Sequence, residues 1–327
     1  MFEKILLPLD GSALAERSIP HALAISRIFN SKIELLRVIE PPKNGKSSQI
    51  SEPLQWHLLK TEASRYLETV AVKMLETLNL SQEEGKHRIR TTVLEGKIAE
   101  NIVDFAQKEA IDLLVICTHG AGGLSLWNLN SVTAKVINLI YSHILIIRPY
   151  ESEEENQHQS LYERILIPFD CSVRSECTLN AGIRLSEGSH SRMFLTTVIK
   201  PPDVPKIEPY HQEMQALSEK LVEIKHKAMR HHLEQISERL PVDNEVHILE
   251  SSSISHAILN LAEEVKADLL ILSAHGYTGD VDRPFGKVAR GCIDYSTQPV
   301  LVIQDIPRTQ VNFSEVERIA RRSKSRA

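Results

Sequence analysis

The chain has 327 residues, 42% of them hydrophobic and 25% charged, which is long enough for two ordinary domains and normal for a soluble globular protein. A formal net charge of −5 argues against broad attraction to DNA, and 5% aromatic content argues against stacking platforms for single strands. No signal peptide is expected, and no run approaches the ~20 apolar residues that cross a bilayer.

KILLPL (4–9) is a short, nearly continuous apolar run, the pattern of a strand buried on both faces. ALAERSIPHALAISRIFN (13–30) has apolar residues three and four apart and predicts one amphipathic helix. KIELLRVI (32–39) predicts a strand, ended by the prolines at 41 and 42. A helical stretch covers roughly 53–80, HRIRTTVL (87–94) is a strand, KIAENIVDFAQKEA (97–110) a helix and DLLVICT (112–118) a strand. A helix near 131–141 and the strand HILIIR (143–148) close this half. The remainder gives the same order, with a longer helix over roughly 207–239.

That order recurs because the sequence does. KILLPLDGSALAERS (4–18) aligns with RILIPFDCSVRSECT (164–178), and IELLRVIEPP (33–42) with MFLTTVIKPP (193–202). AIDLLVICTHG (110–120) aligns with KADLLILSAHG (266–276), and SHILIIRP (142–149) with QPVLVIQD (298–305). Four blocks in one order indicate a tandem duplication. Strands alternating with helices of this length imply β-α-β units, so each half is predicted to be a doubly wound α/β domain with a five-stranded parallel sheet. Residues 1–149 and 162–305 are the two domains, 150–161 an acidic linker, and 306–327 a basic tail.

Ligands of open α/β sheets gather beyond the carboxyl ends of the strands. Asp10 and Asp170 end the first strand of each half, and Glu95-Gly96 and Glu250-Ser251 follow the third. The stretches CTHGAGGLSLWNLNSVTAK (117–135) and SAHGYTGDVDRPFGKVAR (273–290) follow the fourth strand and run into a helix. Glycine allows close approach of backbone N–H groups and a helix start adds unpaired donors, which suits an anion. Asn130, Ser131 and Thr133 stand where they could bond a phosphate or cap the helix; Gly286 and Lys287 hold that place in the second half. Asp10 and Asp170 are each read as a local cap or as a ligand group, with the ligand role favoured at Asp10 over Asp170. His119 and His275 recur at one loop position, either as structural histidines or as catalytic candidates. Four cysteines without CxxC spacing predict free thiols in a reducing cytoplasm, and no zinc or other metal site is expected.

Taken together, these residues resemble the universal stress protein family in a tandem, two-domain form. The resemblance rests on the strand ending Asp-Gly-Ser, the Val-Ile-Glu-Pro-Pro turn, Glu95-Gly96 and HGAGGLSLWNLNSVTAKVI, and it covers both halves. It implies the adenine nucleotide alpha hydrolase-like fold, strand order 3-2-1-4-5. Family members that bind ATP are similar to one another in a loop G-x-x-G-x9-G-[S/T]. Its fixed positions fall on Cys117, Gly120, Asn130 and Ser131, and on Ser273, Gly276, Gly286 and Lys287, two of four matching in each copy. The resemblance assigns adenine and ribose to Asp10 and Val38, or to Asp170 and Val198, and the phosphates to the loop. Gly11 and Gly96 become Cys171 and Ser251 in the second copy, so the N-terminal half is the better candidate pocket.

The expected function is a cytoplasmic stress protein with ATP or another adenine nucleotide, with or without magnesium, as a regulatory ligand. The alternative acts through protein contacts or another small or lipid-like ligand. An ATP hydrolase is the weakest reading, because no GxxxxGK[ST] loop is present and hydrolysis needs a positioned base or metal-bound water. The apolar last strands need cover, and each is expected to cover the other, making an intramolecular pseudo-dimer open to further homodimer formation. Protein partners are not named by the sequence. The tail IPRTQVNFSEVERIARRSKSRA is read as solvated, or as a dock for an acidic surface.

Overall fold

A computed structural model describes residues 1–40, 53–85, 87–118, 131–148, 161–277 and 283–306. The linker up to residue 160, the loop 41–52 and the tail from 307 lie outside them. The first half runs β1 (Lys4–Pro8), α1 (Ala13–Glu16), α2 (Ile19–Phe29), β2 (Lys32–Ile39), α3 (Pro53–Thr77) and α4 (Gln82–Gly85). It continues with β3 (Ile89–Glu95), α5 (Ile98–Lys108), β4 (Leu113–Cys117), α6 (Ser131–Leu139) and β5 (His143–Ile147). The second half runs β6 (Arg164–Pro168), α7 (Cys177–Ser189), β7 (Arg192–Ile199), α8 (His211–Ser237) and β8 (Asn244–Glu250). It ends with α9 (Ile254–Glu264), β9 (Leu269–Ser273), α10 (Lys287–Tyr295) and β10 (Val300–Ile303).

Each half is a parallel five-stranded sheet of the expected 3-2-1-4-5 order. The two sheets then join edge to edge. β5 pairs with β10 antiparallel, Leu145 opposite Leu301, and the whole forms one ten-stranded sheet, β3-β2-β1-β4-β5-β10-β9-β6-β7-β8. The last strands therefore cover each other through hydrogen bonds, which leaves β3 and β8 as the outer edges.

One predicted helix is two. The stretch 13–30 breaks between α1 and α2 because Pro20 has no N–H and its ring would strike the carbonyl four residues back, at Glu16. The break places Pro20 in the first turn of α2, where the missing donor costs nothing.

The strand starts are pinned by a device that occurs twice. Asp112 accepts hydrogen bonds from the N–H groups of Glu3 and Lys4, both 2.9 Å, and Asp268 accepts from Glu163 (2.6 Å) and Arg164 (3.0 Å). Burial pushes the Asp268 carboxyl up to about 6 despite those donors. α2 and α7 end on Asn30 and His190 in the left-handed region, φ 56° and 55°.

Alternation along the strands divides the core between the sheet's faces. Ile5 and Leu7 join Ile25, Leu67 and Leu145 on one face; Leu6 joins Ile102, Ile137 and Ile144 on the other. Both clusters run on into the second half, through Ile165 and Leu301 on one face and Leu166 and Val300 on the other. Each such side chain contributes ~1.5–3 kcal/mol on burial, so the halves share one core and not just one strand pair.

Polar contacts reinforce the join. Arg290 donates to Asn138 Oδ1 (2.8 Å), and the Nδ1 of His21 lies 2.7 Å from the hydroxyl of fully buried Tyr162. Burial lowers His21 from 6.5 to about 4, so the folded chain keeps it neutral where the unfolded chain protonates it. Stability should therefore fall as pH drops from 6.5 toward 4, by ~2–3 kcal/mol from this group. Urea unfolding at pH 7 and pH 4.5 checks this: in His21→Gln the pH-dependent loss should be smaller than in the parent by that amount.

Candidate functional site

The carboxyl ends of β1, β2 and β4 meet at one corner of the first half. Asp10 is exposed there, and its Oδ1 accepts from the N–H (2.9 Å) and hydroxyl (2.6 Å) of Ser12. Ser12 in turn caps α1 by accepting from the Ala15 N–H at 3.1 Å. Gly11 between them has φ +85°, a conformation that favours glycine, and a Cβ added there would press on the Arg37 guanidinium at 3.1 Å. Arg37 leaves β2 one residue before Val38 and lies over the Tyr66 ring, 5.1 Å from its centroid. The Tyr66 hydroxyl donates to Glu16 Oε1 at 2.8 Å, and burial first, then Glu16, pushes that phenol well above its ordinary range. A cation is thus held in a fixed pose beside a glycine turn and an aspartate.

The end of β3 forms the neighbouring wall. Gly96 has φ +123° and donates its N–H to the Ile39 carbonyl at 2.9 Å. Beside it, Glu95 accepts from Trp56 Nε1 (2.8 Å) and pairs with Lys60, while the Glu40 carboxylate takes the Ile98 N–H at the start of α5. Val38 is half-buried, opposite Leu94 in the sheet. Cys117 is buried at the end of β4, and its carbonyl accepts from the Thr133 hydroxyl at 3.1 Å. That bond ties the first turn of α6 to the strand. Ser131 is the first residue of α6 and exposed; Gly120, Asn130 and His119 lie outside the described residues.

The second corner keeps the layout and changes the chemistry. Asp170 Oδ1 accepts from Ser172 N–H (3.0 Å) and hydroxyl (2.5 Å), while Oδ2 accepts from the N–H of Tyr277 at 2.5 Å. The aspartate is therefore bonded to the very loop that follows β9. Gly276 is packed against it so closely that a Cβ would collide with Oδ2. Cys171 holds the left-handed turn of Gly11 with φ +60°, Thr197 stands where Arg37 stands, and Ser251 repeats the Gly96 hydrogen bond, to the Ile199 carbonyl at 3.1 Å. Val198 is half-buried opposite Leu249. Ser273 ends β9, Gly286 is the N-cap of α10 with its N–H on the Ala274 carbonyl (2.8 Å), and Lys287 is the exposed first residue of that helix.

His275 is structural. Its side chain is buried, Nδ1 lies 2.7 Å from Asp305 Oδ1, and Nε2 lies 2.8 Å from the Arg283 carbonyl. Burial alone would lower its pKa; the Asp305 bond and the Arg283 carbonyl outweigh it and raise it, so both ring nitrogens donate in the protonated form. Asp305 also meets Arg174 at 3.6 Å, which ties the segment after β10 to the region before α7. Four free cysteines are found, and no cluster of metal-ligating side chains occurs among the described residues. No helix among them is long and apolar enough to cross a membrane. A concavity of about 740 Å³ beside β3 and α5 borders the first corner through Leu94, which is opposite Val38, and Asn101, which packs on Gly96; another of about 670 Å³ lies between α2 and α7.

The sequence profile of the universal stress protein family matches residues 1–148 and again 161–304. The chain belongs to the universal stress protein family. A universal stress protein of Methanocaldococcus jannaschii, MJ0531, is 32% identical over 154 residues, covering 47% of this chain and 86% of its own. A universal stress protein of Mycolicibacterium smegmatis is 23% identical over 307 residues, covering 92% of this chain and 96% of its own, so it matches through both repeats. The crystal structure of a universal stress protein from Archaeoglobus fulgidus superposes with a TM-score of 0.62 at 17% identity, over 94% of this chain and 100% of that one. That last likeness is one of fold.

Within this universal stress protein, the residue that sequence reasoning passed over is Arg37. Its mark was available: a single cation inside the otherwise apolar end of KIELLRVI, next to Val38. The bond from Thr133 to the Cys117 carbonyl left no such mark, because a threonine hydroxyl serves a phosphate or a backbone carbonyl equally well.

Proposed function

We propose that this universal stress protein binds an adenine nucleotide at the first-half corner and uses it as a regulatory ligand. One observation carries the proposal: the Arg37 guanidinium packs beside Gly11, which has no Cβ to displace it, at a strand-end corner that also holds Asp10. An arginine so placed can meet a phosphate oxygen with charge-assisted hydrogen bonds. Asp10 and Val38 would take adenine and ribose, and Gly11 and Gly96 would let backbone approach the ligand. The second corner lacks the cation and both glycines, with Thr197, Cys171 and Ser251 in their places.

A reading without nucleotide, through protein contacts, draws on the two departures at Cys117 and Asn130 and on the Thr133 hydroxyl being turned to a backbone carbonyl. Nucleotide released by heat from the purified protein and read by chromatography separates the two. Equilibrium dialysis with ATP and ADP, with and without magnesium, then gives affinity. Arg37→Met should weaken ATP binding at least tenfold, equivalent to about 1.4 kcal/mol, while Thr197→Met changes it little. Equal affinity in the parent chain and Arg37→Met would remove the first-half assignment.

A further inference from the structure

The long second-domain helix is built differently from its counterpart in the first. α3 buries Ala63, Leu67, Val70 and Met74 against the sheet, each at most 5% exposed. α8 has 27 residues and only Leu233, near its C-terminal end, is buried. Val222, His226 and Met229 are half-buried on the way to Leu233, while most residues of the helix before them are exposed. On the other side a second apolar stripe faces solvent. Ile207 (56% exposed), Tyr210 (61%), Leu217 (68%), Leu221 (42%) and Ile224 (54%) belong to it, with half-buried Met214 and exposed Ala228.

Five of these residues, Met214, Leu217, Leu221, Ile224 and Ala228, lie within α8 with spacings of three, four, three and four, while Ile207 and Tyr210 precede its first residue, His211. A helix that packs on a sheet does not need that alternation; a helix that packs along another helix does, because the 3.5-residue repeat keeps one seam facing the partner. Within α8, Met214, Leu221 and Ala228 fall on a positions and Leu217 and Ile224 on d. From Met214 to Ala228 the seam is about 21 Å long at 1.5 Å per residue.

We propose that this face is the dimer surface of the universal stress protein, and that its occupant is α8 of a second copy lying antiparallel. The flanking charges choose the direction. In an antiparallel pair with Leu217 against Leu221 of the second copy, Met214 meets Ile224. Glu213 then faces Lys227 of the second copy, and the two-fold axis repeats that attractive pair, against one Lys220–Lys220 contact at the axis and His211 facing Lys225 twice on the other flank. In a parallel pair Lys220 would face Lys225 twice, Lys227 would face His232 twice, and Glu213 would face only Ser218. The contact is isologous and therefore closes at two chains.

Sedimentation velocity of the full chain over a hundredfold concentration range tests this. The expected result is a reversible two-chain species. Leu217→Glu places a charge in two layers of the seam at once and should weaken association at least a hundredfold. Because Leu217 is exposed, the variant's far-UV spectrum should match the parent, and its unfolding midpoint should match at concentrations low enough for both to be single chains. Glu213→Lys alone and Lys227→Glu alone should each weaken association about five- to tenfold, and the double variant should restore it. A single-chain species at every concentration overturns the proposal, as the basic tail folding onto its own α8 would give. A dimer indifferent to Leu217→Glu overturns it too. A dimer lost in Leu217→Glu but unmoved by the charge exchange overturns the antiparallel arrangement.

Discussion

Gly276→Val should destabilise the second half by ~3–5 kcal/mol, read as a fall in the urea midpoint at unchanged m-value. The added Cβ would land on Asp170 Oδ2, a carboxylate oxygen held by the Tyr277 N–H at 2.5 Å, while Oδ1 is held by Ser172. Two responses are open to the chain. The carboxylate can swing away and lose a charge-assisted bond, or the loop after β9 can move and pull on the buried His275–Asp305 pair next to it. Both are costly, because the first forfeits hydrogen bonds to a charged group and the second disturbs a buried polar pair. Burial would by itself raise Asp170, yet the bonds from Ser172 and Tyr277 hold it below the usual carboxylate range. The double variant Asp170→Ala/Gly276→Val should therefore be less destabilised than the sum of its parts by more than 1 kcal/mol, about the size expected for groups in contact. Additivity would show that the two residues do not meet.

Arg148→Met should cost ~3 kcal/mol and should also loosen the halves from each other. Arg148 follows β5 in the first half, is 7% exposed, and its Nη2 donates to the carbonyls of Ile293 (2.7 Å) and Asp294 (2.6 Å) in the last turn of α10 in the second half. Those carbonyls have no partner further along the helix, and a cation there also meets the negative end of the helix dipole. Methionine keeps much of the stem volume but leaves two acceptors unsatisfied at ~1–3 kcal/mol each, partly relieved by water. Urea unfolding followed by far-UV signal and by tryptophan fluorescence should coincide in the parent chain. In Arg148→Met the two curves should separate, because both tryptophans, Trp56 and Trp127, lie in the first half.

Nearly all strands and helices could be read from the sequence, since each apolar run was written twice and each copy supported the other. The unforeseen break in 13–30 came from Pro20, whose effect acts one turn back and competes with an unbroken apolar period. The corners themselves were legible as Asp10 and Asp170 at strand ends, but their bonding was not. Whether an aspartate holds a ligand, its own turn or a distant loop depends on side-chain geometry that spacing does not encode, and Asp170 took the loop. Arg37 was hidden because a charge within a strand reads as a surface position until Tyr66, 29 residues away, is seen beneath it. The outward seam of α8 was hidden for the opposite reason: an apolar stripe in a long helix is ordinarily taken for core.

Joining the last strands of the halves within one polypeptide has a genetic consequence. Two identical subunits meeting across an axis receive every substitution in duplicate, so an altered turn disables both sides together. Here each side has its own codons. Cysteine at 171 and threonine at 197 fall on one side alone, while glycine and arginine persist on the other. The paired architecture can thus vary one corner without altering its neighbour, a freedom that a pair of identical subunits does not have.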